Sequence, residues 1–152
     1  MRTTFVAIVL ALALAPVAGA TAAPLIPLEQ QSQMKQILSS FGFNDLAYVP
    51  TKAPANYTYQ SNVVNSTQNL ITLQDGTAVT YFTAKFFTGK LNNCGKGSQV
   101  KLTIAGITVY SKGADVWRCV SAHGGKVVKI DGTGLGLSRE DLGTMIVSAK
   151  HA

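Results

Sequence analysis

From Pro27 onward the apolar residues first recur every three to four positions. In "PLEQQSQMKQILSSFGF" the residues Leu28, Met34, Ile37, Leu38 and Phe41 fall near 3.6-residue spacing, and Gly42 follows directly. That pattern predicts an amphipathic helix with a Gln-rich polar side and a glycine stop. The period then changes to two. The segments "NYTYQSNVV", "NLITLQ", "TAVTYFTAKFF", "QVKLTIAGITVY", "VWRCVSA" and "KVVKI" are short, rich in Val, Ile, Thr and aromatics, and separated by Gly or Asn turns, as strands are. Asp75-Gly76 predicts a type I′ hairpin joining a strand that ends at Gln74 to one that starts at Thr77. Gly124-Gly125 predicts a second hairpin, between the last two segments. Val100, Leu102 and Ile104 share a face with Ile107 and Val109, and the parity breaks at Gly106; within one strand, such a break predicts a bulge or bend. Tyr81, Thr83 and Lys85 alternate with Phe82, Ala84 and Phe86, so one set is expected inside and the other outside.

The closing stretch "KIDGTGLGLSRED" sets Gly132, Gly134 and Gly136 between an apolar run and a helix start. Ser138 is placed to cap that helix, Asp141 stands three residues on as an acidic variant of the capping box, and Leu137 and Leu142 occupy the two positions of a hydrophobic staple. A dinucleotide fingerprint would need Gly at Leu137 and a further βα unit, and a phosphate-binding P-loop would need Gly-Lys-Ser/Thr where Gly136-Leu137-Ser138 stands. Glu140 and Asp141 also occupy the positive end of the helix dipole, where a phosphate would sit. The glycines are therefore expected to let the chain turn from strand to helix. With a helix at each end, the expected class is α+β: a curved, mainly antiparallel β-sheet with an N-terminal helix and a C-terminal helix packed on it.

The first residues add a compartment. "MRTTFVAIVLALALAPVAGATAAP" has one charge, Arg2, then an apolar run from Phe5 to Ala15, then small residues. The run is too short for a ~30 Å hydrocarbon core, and Ala18-Gly19-Ala20 or Ala20-Thr21-Ala22 offers a cleavage pattern. Residues 1–22 read as a signal peptide and 23–152 as a single domain, with no transmembrane segment after cleavage and no Cys near the cleavage region to take a lipid anchor. In an oxidising compartment Cys94 and Cys119, the two cysteines of the chain, read as one disulfide. Without Arg2 the chain has twelve Lys plus Arg against seven Asp plus Glu, a net charge of about +5. Lys85, Lys90, Lys96, Lys101, Lys112, Lys126 and Lys129 are spread over many loops and strands, which reads as a solvated surface with weak attraction to anionic envelope or wall polymers, and not as a nucleic-acid interface.

Chemistry is thin along this chain. His123 lies in the "SAHGGK" turn with Ser121 nearby, but there is no nucleophile elbow. The seven acids stand singly, mostly at turn or cap positions, and no spacing predicts a carboxylate pair, a calcium loop or another metal site. No cofactor is expected. Trp117, the sole Trp, alternates with Cys119 and is expected in the core beside the disulfide. Asn56-Tyr57-Thr58 and Asn65-Ser66-Thr67 fit the N-glycosylation sequon.

Two long stretches resemble a known family. "FNDLAYVPTKAPANYTYQS", with Pro50 and Pro54 before Tyr57, and "GITVYSKGADVWRCVSAHGGKVVKIDGTGLGLSREDLGTMIVSA", with Trp117 in a late strand and a final "LS-ED" helix, resemble bacterial extracytoplasmic domains of unknown function that accompany anti-sigma factors and sporulation lipoproteins. The resemblance implies a fold like that of the periplasmic lipoprotein carriers and a role in sensing or binding. The chain departs from the pattern at Asn56, where the family has Gly, and in its Cys94–Cys119 pair, so the resemblance assigns neither partner nor site. The expected function is a secreted or periplasmic, non-catalytic binding module. Its ligand would be a lipid, a peptide or an envelope protein, taken in an apolar groove between the sheet and Met34, Ile37, Leu38 and Phe41 of the first helix, unless those residues are themselves core, as helix residues at this spacing usually are. The alternative is a small secreted hydrolase or toxin using His123 with Ser121 or Asp115.

Overall fold

A computed structural model describes residues 23–152; the expected leader, residues 1–22, lies outside them. Two helices, α1 (Leu28–Ser40) and α2 (Arg139–Val147), pack on one side of a seven-stranded sheet. The sheet strands are β2 (Thr58–Val64), β3 (Gln68–Asp75), β4 (Ala78–Phe87), β5 (Val100–Ile104), β6 (Ile107–Lys112), β7 (Asp115–Ser121) and β8 (Val127–Gly134). Their spatial order is β2-β3-β4-β8-β7-β6-β5, and every neighbouring pair is antiparallel, as the α+β expectation required. Two short strands that the periodicity did not predict, β1 (Tyr48–Val49) and β9 (Lys150–His151), pair with each other and tie the end of the chain to the segment behind α1.

Both helix ends follow local rules. At α1 the Phe43 amide donates to the Leu38 carbonyl at 2.8 Å and that of Gly42 to Ser39 at 3.0 Å, with Gly42 at φ 75°. This is the Schellman closure that a glycine stop predicts. At α2 the Ser138 hydroxyl oxygen accepts from the Asp141 amide at 3.1 Å, and Leu142 is fully buried with Leu137 packed nearby. Cap and staple are as the sequence predicts. The glycines before it serve another purpose than turning. Gly132 and Gly134 are residues of β8 itself, where a Cβ would press on Met145 and Ile146 in one case and on Thr80 and Leu137 in the other. Gly132 lets strand and helix come close together, Gly134 makes room for Thr80 of β4 and for Leu137, and only Gly136, at φ 78°, makes the turn.

Two turns differ from expectation. "QVKLTIAGITVY" is a hairpin, not one bent strand: β5 and β6 pair with Ile104 opposite Ile107, and Ala105 and Gly106 form the loop at φ 49° and 77°. A two-residue loop with both φ values positive is the primed turn of a tight hairpin. It produces the same parity break as a bulge, so the faces are right and the connection wrong. The hairpin at Asp75 also forms, but Asp75 pairs with Ala78 and the loop is Gly76-Thr77. Gly76 alone has positive φ there, which fits type II′ with glycine first. The Gly124-Gly125 hairpin joins β7 to β8 through a five-residue loop closed by the Ala122 amide on the Lys126 carbonyl at 2.8 Å.

One face of the sheet is filled. Ile71, Leu73, Phe82, Ala84, Val128 and Ile130 project toward Met34 and Leu38 of α1 and Leu142, Met145 and Ile146 of α2, and these form one core. Buried Asn69 reaches across this side and donates to the carbonyls of Leu46 and Tyr48 at 3.2 and 3.1 Å, holding β1 to the sheet. Asn56, at φ 69°, takes the left-handed conformation in the turn before β2, one that glycine or asparagine adopts at low cost.

Candidate functional site

The other face is the candidate site. Its composition follows from strand parity and register. Along β8 the residues Lys129, Asp131 and Thr133 point away from the helices, opposite Lys85, Thr83 and Tyr81 of β4 and opposite Cys119, Trp117 and Asp115 of β7. Beyond them Tyr110 of β6 stands opposite Trp117, and Lys101 of β5 opposite Tyr110. Among the described residues no α-helix covers this side. It is crossed only by the connection of residues 88–99, which leaves the end of β4 and must pass over β8, β7 and β6 to enter β5 at the far edge. The Cys94–Cys119 disulfide pins that connection to β7, and the Trp117 indole N–H donates to the Cys94 carbonyl at 2.8 Å. Gly95 sits against the Tyr110 ring, where a Cβ would not fit.

Trp117 is therefore buried, at 7% exposure, beside the disulfide as expected. Its place is beneath this strap on the outer face, not in the core between sheet and helices. Lys129 lies over its ring, 4.7 Å from the centroid, and forms an ion pair with Asp131 at 3.5 Å. Burial pushes the Asp131 carboxyl above the ordinary carboxylate range; the Lys129 and Lys85 ammonium groups pull it back and the Asp115 carboxylate adds to the rise. Thr133 donates its hydroxyl to Asp115. Tyr81, 44% exposed, and Leu135, 85% exposed, line a hollow of about 510 Å³ together with Val79 and Thr133.

The groove expected at α1 is distributed differently. Met34 and Leu38 are in the core at 2% and 0% exposure, whereas Ile37 and Phe41 face outward at 44% and 49%. Between α1 and β2 there is a crevice of about 70 Å³ that Met34 and Ile37 share with Gln30, Gln33, Asn62 and Val64. A wider hollow of about 800 Å³ on the far flank of α1 is lined mainly by Gln31, Ser32, Lys35 and Gln36, without converging charged partners. His123 and Ser121 lie exposed at one end of β7, while Asp115 begins the same strand at its other end. At about 3.3 Å per residue that is a span of roughly 20 Å. Among the described residues no group of three or more His, Cys, Asp and Glu is placed to hold a metal ion, and no helix is long and apolar enough to cross a membrane.

The lysines are not dispersed as the sequence suggests. Register places Lys85, Lys101, Lys112 and Lys129 on the outer face, and the strap adds Lys90 and Lys96; Asp115 and Asp131 are the acids among them. Lys126 alone of the seven stands apart, over the ring of Phe86, which packs on the core side. Parity along β4 announces the outward row Tyr81, Thr83 and Lys85. What parity cannot announce is that β4 neighbours β8, a strand some fifty residues on, and so that these lysines share a face. No family model matches the chain, and no curated protein matches it at a significant level.

Proposed function

We infer that this chain is an extracytoplasmic, non-catalytic binding module that takes its ligand on the outer face of its sheet. The observation that carries this is the unequal treatment of the two faces. The inner face is closed by α1 and α2 with a continuous core, while the outer face stays open beside a disulfide-pinned strap and exposes Tyr81 next to a hollow of about 510 Å³. Concave surface with an aromatic and a few oriented polar groups is what ligand sites are made of. The apolar leader pattern and the disulfide support export to an oxidising compartment, and the resemblance to extracytoplasmic domains that accompany anti-sigma factors supports sensing or binding over turnover.

The test sets lipid and peptide binding screens beside a panel of ester, peptide and glycoside substrates. The expected result is a ligand retained by the wild type and lost by Tyr81→Ala, with no turnover of any substrate. Turnover abolished by His123→Ala would overturn the reading in favour of the hydrolase.

A further inference from the structure

We propose that the outer face is a docking surface for an anionic polysaccharide, specifically a chain of uronic acids. This rests on the binding-module reading above and names its ligand class. The first support is where the charge sits. Six lysines face two aspartates on the outer face and its strap, whereas the rest of the described chain sets six cations against five acids, so most of the net charge lies on one side of the molecule.

These charges are only partly satisfied internally: the Asp131 carboxylate pairs with Lys129 and also draws on Lys85. The Lys129–Asp131 contact is the ion pair found among the described residues, which leaves Lys85, Lys101 and Lys112 without an acid at bonding distance there. Lys85 stands directly opposite Lys129 in the β4–β8 ladder. Two like charges at opposed positions disfavour the pairing they decorate; Asp131 balances one of the two, and a ligand carboxylate at Lys85 would balance the other.

The second support is the chemistry further along the same face, beyond the Thr83–Asp131 pair from Lys85 and Lys129. Register sets Thr72, Tyr81 and Thr133 side by side on adjacent strands. At a strand spacing of about 4.8 Å, an extended glycan crossing the sheet meets hydroxyl, aromatic ring and hydroxyl in turn. Tyr81 offers its exposed ring to a sugar face, Thr72 a hydroxyl that can donate or accept, and Thr133, whose proton is held by Asp115, an acceptor. A nucleic-acid strand would need a succession of open aromatic platforms, but Trp117 is covered and Tyr81 stands alone. An anionic bilayer would need apolar side chains grouped within the basic patch; here Thr83 and Asp131 occupy its middle, exposed Val63 stands at the β2 edge away from the lysines, and exposed Leu91 and Leu135 stand toward opposite ends of the strands.

The experiment titrates the full secreted protein with polygalacturonate by calorimetry at low and high salt, with neutral dextran, phosphatidylserine vesicles and single-stranded DNA in parallel. Two variants carry the same change in net charge: Lys85→Gln with Lys101→Gln on the outer face, and Lys35→Gln with Lys52→Gln on the helix side. All four lysines are exposed, so both variants retain the fold, which circular dichroism checks. Binding to polygalacturonate is expected to weaken with salt, to fall tenfold or more in the outer-face variant, and to change less than twofold in the other. Tyr81→Ala is expected to lose several-fold at every salt concentration.

Equal losses in the two lysine variants would reduce the effect to bulk charge and overturn the proposal. Tighter binding to the vesicles or to DNA would overturn it in favour of those ligands. Indifference to polygalacturonate together with capture of a peptide or neutral lipid would remove this inference and leave the binding-module reading standing.

Discussion

Asp131 is a carboxyl group that the fold holds against its own preference. It sits on β8 between Thr83 and Trp117, largely removed from water, and burial lifts its proton affinity more than the 3.5 Å contact with Lys129 lowers it. The folded state therefore binds this proton more tightly than the unfolded chain does. Where the native state holds more protons than the unfolded one, stability falls as pH rises. The contribution of Asp131 is complete below its unfolded value of about 3.9 and is lost as pH rises through the elevated native value. Asp131→Asn is accordingly expected to unfold at a higher denaturant midpoint than wild type at pH 7, with the gap closing as pH falls toward 4. Urea titrations across that range measure it. A variant less stable at pH 7 would show that the Lys129 pair outweighs burial. The same residue anchors Lys129 over the Trp117 ring, so ligand-facing charge and local stability are set by one group.

At the scale of elements, α2 depends on a strand residue for its C-terminal end. Arg118 points from β7 toward the helices and donates from Nε to the Ile146 carbonyl at 3.2 Å and from Nη2 to that of Ala149 at 3.1 Å. These lie in and just beyond the last turn, where the dipole is negative; the Ile146 carbonyl also accepts from the Ala149 amide at 3.3 Å. Burial pulls the guanidinium down from its ordinary value, yet the forked donors satisfy two carbonyls at once. Arg118→Met should cost on the order of 2 kcal/mol, and Arg118→Lys should recover only part of it, because an ammonium lacks the fork. Full recovery by lysine, read from urea midpoints, would mean that charge at the dipole is all that matters. None of this is visible in "VWRCVSA", where Arg118 reads as an outward residue between apolar ones. Features decided within a few residues were legible: the Ser138 cap, the Gly42 stop, and the alternation that sets Phe82 and Tyr81 on opposite sides. Features decided by pairing were not. The parity break at Gly106 fits bulge and hairpin equally, β1 and β9 are too short to have a period, and Met34 is indistinguishable by spacing from Ile37 although one is core and the other exposed.

For the molecule as a whole, the decisive constraint is how the chain gets from the middle of the sheet to its far edge. β4 lies third in the sheet and β5 last, so the strap must cross the outer face, and it does so pinned at Cys94. Closing a loop across a separation of 25 residues stabilises the fold by about 3 to 4 kcal/mol in the chain-entropy account. The core on the other face does not involve the strap, so Cys94→Ser with Cys119→Ser is expected to fold with the same far-UV dichroism while losing stability of that order. Trp117 supplies an unambiguous reporter because it is the sole Trp and its indole is covered by the strap. If the disulfide is what holds the strap down, the native emission of the double variant shifts to longer wavelength as water reaches the ring. An unshifted spectrum at reduced stability would show that the Trp117–Cys94 hydrogen bond and the packing of Gly95 on Tyr110 seat the strap unaided. The outcome bears on function, because Lys90 and Lys96 ride on the strap. A freed strap disperses two of the six lysines from the outer face, so the double variant should bind polygalacturonate more weakly whenever its tryptophan emission shifts, and with wild-type affinity when it does not.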